Sequence, residues 1–263
     1  MMNITEIMNS ISPLWGICSF DKLKNNLIEC RAKSRLPQNA KSVIVACFPY
    51  LLPKENYKNS NISKYAVVTD YHEVALSRLQ SACNRLKEIF PEEKFVCFAD
   101  NSPVPEVSSA CLAGLGVRGM NSLLITEKYG SYVFIGEIVT SLETKTESRE
   151  INPCIECGKC IKTCPANALD GNGVNTEKCL SAITQKKGNL SPEEEKLMLE
   201  CGCVWGCDIC QDICPMNKNA AATEINEFLS SPVPVLTAQT ELENRAYEWR
   251  GKKVIERNLN LFI

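Results

Sequence analysis

The sequence predicts a mixed α/β fold in two parts: a sheet-and-helix domain over residues 1–150, then a small cysteine-rich domain over residues 151–220, closed by a helical tail over residues 221–263. Three observations carry this. In the first half, short runs rich in Val, Ile, Phe and Cys are separated by a long amphipathic stretch. Ten of the sixteen cysteines crowd between Cys154 and Cys214. Between the halves lies the acidic, Thr-rich stretch SLETKTESREINP (141–153), which reads as a boundary.

A chain of 263 residues with 44% apolar composition can bury a real core. Its formal net charge of -2 excludes a globally polycationic nucleic-acid binder, so any RNA contact needs a local basic patch; Lys178, Lys186, Lys187 and Lys218 are the candidates. The N-terminal stretch has no basic region before an apolar run, and no window approaches the roughly 18 apolar residues of a spanning helix, so a cytoplasmic protein without membrane contact is expected. Reduced, metal-binding thiols fit a chain of this length better than a disulfide scaffold.

Taken in order, KSVIVACFPY (41–50) and KFVCFAD (94–100) read as buried strands. Between them HEVALSRLQSACNRLKEIF predicts a helix whose stripe is Val74, Leu76, Leu79, Ala82, Leu86 and Ile89. VPEVSSACLAGLG (104–116) predicts a second helix ending in glycines, and SLLIT with SYVFIGEIVTS a hairpin across EKYG. Together they predict one sheet flanked by helices. Short helices are expected in AATEINEFLS and ELENRAYEWRGKKVIERNLNLF, with no internal repeat.

The stretch between Cys154 and Cys214 has few apolar runs, so its core must be inorganic. CIECGKCIKTCP places Cys154, Cys157, Cys160 and Cys164 before Pro165, the C-x2-C-x2-C-x3-C-P run of two-cluster bacterial ferredoxins. In that pattern three thiolates hold one cubane and the fourth reaches another. GCDICQDICP supplies Cys207, Cys210 and Cys214 with a second C-x3-C-P ending, while Val204 stands where a further cysteine would be expected. Cys179 is its natural replacement. Two 4Fe-4S clusters are therefore expected, one on Cys154, Cys157, Cys160 and Cys214, the other on Cys164, Cys179, Cys207 and Cys210. Paired C-x2-C motifs also bind zinc, but the two C-x3-C-P endings have no role there. Cys201 and Cys203 are left over.

A two-cluster carrier does not need some 150 further residues of α/β domain. The stretches KYAVVTDYHEV (64–74), FADNSPVPE (98–106), AGLGVRGMNSLLITEKYGSYVFIGEIVTSL (113–142) and the cysteine block through GCDICQDICPMNK resemble, in order and spacing, the epoxyqueuosine reductase family. The resemblance is to a short form without C-terminal helical repeats. It implies a reductase that binds cobalamin between a sheet-and-helix domain and a bacterial-ferredoxin-like two-cluster domain. The implied electron source is an external donor such as a flavodoxin or ferredoxin. The implied substrate is the epoxide-bearing base of a tRNA anticodon loop, deoxygenated to queuosine. The alternatives are a divergent reductase of another substrate and a simple electron carrier.

Losing an epoxide oxygen as water consumes protons, so an acid is needed at the site. Asp100, in the family's D-x-x-P-x-x-E pattern, looks like that donor, and enclosure would raise its pKa; otherwise it would cap the helix near Val104. Glu106 completes the pattern, with ordinary helix-dipole stabilisation as its other explanation. His72, the single histidine, resembles a helix-opening polar residue more than a cobalt ligand. Leu124, Ile125, Ile135, Gly136, Ser181 and Asp208 align with regions that touch the corrinoid in the family. Two positions depart from it: Thr69 and Met120 stand where Arg and Lys are common, with Arg118 the nearby cation.

Overall fold

The computed structural model describes residues 3–144 and 151–263, so residues 145–150 of the expected boundary stretch lie outside the described residues. Two compact units form, and neither is continuous in sequence. One takes the described residues of Met1–Pro49, Tyr71–Arg118 and Val133–Pro153; the other takes Tyr50–Asp70, Gly119–Tyr132 and Cys154–Ile263. The second unit thus draws two segments from the first 150 residues, and its internal bonds give the reason. Asn61 joins Leu236, Lys64 joins Asp208 and Asp212, and Ser131 joins Asn217.

In the first unit, α1 (Ile4–Ile11) begins in a capping box of Asn3 and Glu6. After it come β1 (Leu14–Ser19), β2 (Ser42–Pro49), α2 (Tyr71–Ile89), β3 (Phe95–Ala99), α3 (Glu106–Leu112) and β4 (Val133–Thr140). The strands form one antiparallel sheet in the order β1-β2-β4-β3. β2 is buried along its whole length and β4 nearly so, which is why both read as apolar runs and take central places. The expected hairpin shrinks to a single bridge between Thr126 and Gly130, because β4 pairs with β2 and β3 on its two edges.

Successive β4 residues face opposite sides of the sheet. A Cβ on Gly136 would meet Leu79 of α2 at 2.6 Å, while Glu137 accepts a hydrogen bond from Ser109 of α3. So α2 covers one face and α3 the other. The α2 stripe is Val74, Ala75, Leu79, Ala82, Cys83 and Leu86; Leu76, expected in it, is among the exposed side chains because it lies about 200° round the helix from Val74. Fully burying Leu79 or Leu86 contributes about 1.5–3 kcal/mol each.

The second unit contains α4 (Lys159–Thr163), α5 (Leu180–Thr184), α6 (Pro192–Cys201), α7 (Ile209–Asp212), α8 (Asn226–Leu229) and α9 (Lys252–Asn260). α6 starts with Ser191 and Glu194 in a capping box around Pro192 and stops at Gly202, whose φ is 65°. In α9, Asn258 donates to the carbonyls of Thr184 and Val204, tying the tail to the end of α5 and to the loop before Cys207. Trp205 is fully buried and donates to the Tyr65 hydroxyl at 2.8 Å. Among the described residues, no helix is long and apolar enough to cross a membrane.

Candidate functional site

Two chemically distinct places emerge, one in each unit. In the first unit, β3 ends at Ala99 and the chain turns through Asp100 and Asn101, both left-handed with φ of 53° and 39°. Asp and Asn tolerate this region better than other side chains, yet consecutive positive values mark a strained loop. The Asp100 side chain is 60% exposed, and its Oδ2 lies 3.2 Å from His72 Nε2. The His72 ring stacks on Tyr71 at 4.0 Å, and Tyr71 on Phe134 at 4.1 Å, so the imidazole is held flat against the start of α2.

The structure removes the alternative reading of Asp100 as a helix cap and gives it a different charge balance from that of an enclosed acid. It does not cap α3, whose N-cap is Pro105 without a side-chain bond. Its pKa moves down, because the His72 bond favours the carboxylate more strongly than burial opposes it. His72, which sequence reasoning set aside as a ligand candidate, is thus the aspartate's partner. The signal was present in the short Asp70-Tyr71-His72 stretch, but only the fold brings it to Asp100.

Behind this pair stand two more carboxyls. Glu137 is fully buried and accepts from the Ser102 and Ser109 hydroxyls; burial pushes it up to about 7 although those bonds pull the other way. Glu106 is pushed up to about 8, first by burial and then by the charges of Glu137 and Asp100. Sequence reading missed Glu137, since a glutamate inside VFIGEIVT reads only as an interruption of a strand.

In the second unit, Cys154, Cys157, Cys160 and Cys214 line one shallow recess, together with Met120, Asn121, Ile125 and Met216. These are the four thiols expected for one cluster. The last cysteine of the second run therefore does join the first three of the first run. The local geometry follows from sequence: Glu156 and Gly158 adopt left-handed φ of 50° and 68°, which curls the C-x2-C segments around the recess. Among the described residues no three His, Cys, Asp or Glu groups converge on a point suited to a single ion. Thiols spread round a recess fit a polynuclear cluster better than a zinc ion.

α4 and α7 pack together, each carrying a C-x3-C-P ending. Beyond burial, the charges of Cys179, Cys164 and the first group's Cys160 act on the Cys210 thiol, and those of Cys203 and Cys210 on Cys207. Cys201 neighbours Cys164, and Cys201, Cys203 and Cys207 rest on the apolar group of Leu180, Ile183, Leu190 and Met198. The second thiol group thus has six members for four places.

Of the expected corrinoid contacts, Ile135 and Ser181 are half-buried and keep surface to offer. Leu124 and Ile125 are buried, and the Cβ direction of Gly136 is filled by Leu79. Asp208 is buried too, its oxygens accepting from the Lys64 backbone at 2.6 Å and from Gln211 at 3.3 Å; burial pushes it up to about 6 despite Lys64. Thr69 donates to the Glu227 carbonyl, and Met120 gives the recess an uncharged wall. Lys186 pairs with Glu194 at 2.9 Å, which removes it from the expected basic patch.

Residues 153–217 match the family model of the 4Fe-4S double cluster binding domain, and residues 31–101 that of epoxyqueuosine reductase QueG, DUF1730. The epoxyqueuosine reductase of Cyclobacterium marinum is 33% identical over 229 residues, which cover 85% of this chain and 71% of that protein. This chain belongs to the epoxyqueuosine reductase family. The relative from Lactococcus garvieae is 33% identical over 219 residues, but the chain spans only 62% of its length, and 54% of the Listeria monocytogenes relative. Among solved structures, the Streptococcus thermophilus epoxyqueuosine reductase matches with a TM-score of 0.79 at 26% identity, covering 98% of this chain and 79% of that one. An epoxyqueuosine reductase solved with an epoxyqueuosine-modified tRNA-Tyr stem loop matches with a TM-score of 0.82 at 26% identity over the same shares. That of Bacillus subtilis, described with its catalytic aspartate loop swung out of the active site, also gives 0.82, at 25% identity. The family carries the two-cluster architecture that the cysteine spacing predicts.

Proposed function

We propose that this chain reduces the epoxide of epoxyqueuosine in a tRNA anticodon loop to the alkene of queuosine. An external one-electron donor, such as a flavodoxin or ferredoxin, feeds two 4Fe-4S clusters, with cobalamin as the reducing cofactor. The observation that carries the reading is the recess lined by Cys154, Cys157, Cys160 and Cys214 in a chain of this family, the crossed arrangement that two adjacent cubanes require. Cys164, Cys179, Cys207 and Cys210 hold the second cluster.

Bound cobalamin supplies the reduction of the carbon–oxygen bond. The chain's own residues do the rest. Toward the corrinoid, the first unit offers the part-exposed apolar surface of Ile135 beside Gly136; the second unit offers the part-exposed hydroxyl of Ser181, with Leu124, Ile125 and Asp208 buried. Asp100, with His72 at 3.2 Å, presents a shared proton at the exposed end of β3. The catalytic aspartate loop of the Bacillus subtilis relative supports this assignment, and the tRNA stem loop held by another relative supports the substrate. A base in such a loop can leave its stack to reach a pocket.

A second reading, a corrinoid reductase of a smaller substrate, is favoured by the uncharged Met120 and the engaged Thr69, where two cations were expected. Anaerobically reconstituted protein decides between them. Cobalamin binding with conversion of epoxyqueuosine tRNA supports the first reading, and cobalamin binding without conversion supports the second. Full cluster content without cobalamin binding would reduce the protein to an electron carrier.

A further inference from the structure

The carboxyls behind Asp100 have no role in the reading above. Glu106 opens α3, and its Oε1 is sealed from solvent with no hydrogen-bond partner among the described residues. The backbone N–H of Asp100, the residue held left-handed at φ 53°, favours the ionised form of this carboxyl, but less than burial and the neighbouring acids oppose it. The titratable groups facing Glu106 are Glu137 from β4, Asp100 from the loop after β3 and His72 from α2; of these only His72 can carry positive charge. A carboxylate oxygen with no donor, enclosed beside two other acids, is costly, so the group retains a proton where an exposed glutamate would lose it.

We propose that Glu106 is the proton reserve of the Asp100–His72 pair, fixing the Asp100 backbone and refilling the pair's proton during turnover. The proposal rests on the reading of this chain as an epoxide reductase. Removing an epoxide oxygen as water breaks two carbon–oxygen bonds and takes up two electrons and two protons. The electrons come from the external one-electron donor through the clusters. The Asp100–His72 pair gives one proton, Glu106 gives the second through Asp100 and becomes a carboxylate, and the pair and Glu106 then each regain one proton from solvent at the exposed Asp100. Glu106 is therefore a positioning residue that acts through Asp100 without touching substrate.

Two variants separate its two tasks. Glu106→Gln keeps an acceptor for the Asp100 N–H but has no proton to give, whereas Glu106→Ala loses both. The first readout is the infrared carbonyl band of a protonated carboxylic acid in the purified full-length chain. Beside the contribution of Glu137, which titrates near 7, it should contain at pH 7 a component that disappears only as pH rises through about 8, is missing in Glu106→Gln and persists in Glu137→Gln. The second is the pH profile of turnover. Glu106→Gln, with unchanged iron content and circular dichroism, should lose roughly 10²-fold in rate at pH 7 and no longer show the wild-type alkaline limb. A band at pH 7 that is unchanged in Glu106→Gln, or a Glu106→Gln enzyme with wild-type rate and profile, overturns the proposal. If the loaded wild type fails to convert the epoxide, the epoxide reading falls, and the infrared arm alone decides for or against the proton reserve.

Discussion

Asn217 stands three residues after Cys214 and is 8% exposed. Its Oδ1 accepts from the Ser131 N–H at 2.8 Å, and its Nδ2 donates at 2.8 Å both to the Ser131 hydroxyl and to the carbonyl of Gln211, the neighbour of Cys210. Asn217→Ala leaves a buried backbone donor and a buried backbone acceptor without partners, each costing about 1–3 kcal/mol. The Ser131 hydroxyl still reaches Gln211 Oε1 at 3.0 Å, so it adds little. A loss of about 4 kcal/mol corresponds to an apparent melting midpoint lower by roughly 8–16 °C for a chain of this size. Because the same bonds hold the segment from Cys207 to Cys214, iron content should fall in parallel. Asn217→Asp keeps the acceptor for Ser131 but sets a carboxylate oxygen against the Gln211 carbonyl, and should be at least as damaging. The assay is a thermal scan at fixed rate with iron determination on anaerobic protein. A shift under about 2 °C with full iron would refute the reasoning.

Three further outcomes follow from the site. Glu106 and Glu137 have folded-state pKa values raised to about 8 and about 7, above those of an unfolded glutamate, so the folded state binds the extra protons. Their contribution is therefore fully present below about pH 4.3 and lost as pH rises through 7 to 8, by up to about 1.4 kcal/mol per unit per group. Denaturant midpoints at pH 6 and pH 9 should show the decline, and Glu106→Gln should flatten it. Cys201→Ala with Cys203→Ala should keep about eight iron atoms per chain, while Cys179→Ala should not; iron loss only in the first variant would reassign the second cluster's ligands. Asn121 lines the recess, and its Nδ2 is buried without a partner among the described residues; a cluster sulfide in the recess would give it an acceptor. Asn121→Ala should lower that cluster's potential by on the order of 40 mV, about one net hydrogen bond of 1 kcal/mol in a one-electron couple. A redox titration followed by paramagnetic resonance reads this directly.

The strands β2 and β3 and the helix α2 were legible because continuous apolar runs and a stripe spaced by three and four have few other ways to be buried. The cysteines were legible because their spacing is dictated by the cluster, and the recess brings together the four residues that the crossed pattern names. Residues Tyr50–Asp70 gave no local sign of leaving the first half. Their membership of the other unit rests on single long-range bonds, such as Val204 N–H to the Asn61 carbonyl at 2.7 Å, which no periodicity encodes. Asp100 was found through a pattern, but its downward pKa was not, since that depends on a histidine 28 residues earlier. Glu137 was invisible for a related reason: only the pairing of Val45 and Phe98 around it, with Ser109 on the α3 face, makes a strand glutamate part of a site.

Deoxygenation of a tRNA base is the activity proposed for this chain. Its most direct test is incubation of the anaerobically reconstituted protein, with cobalamin and a chemical one-electron reductant, with tRNA bearing epoxyqueuosine, followed by mass analysis of the released nucleosides. Epoxyqueuosine should be replaced by queuosine, lighter by one oxygen, and Asp100→Asn should leave the epoxide in place while retaining its clusters. Unchanged epoxyqueuosine with the wild-type protein, fully loaded with iron and cobalamin, would contradict it.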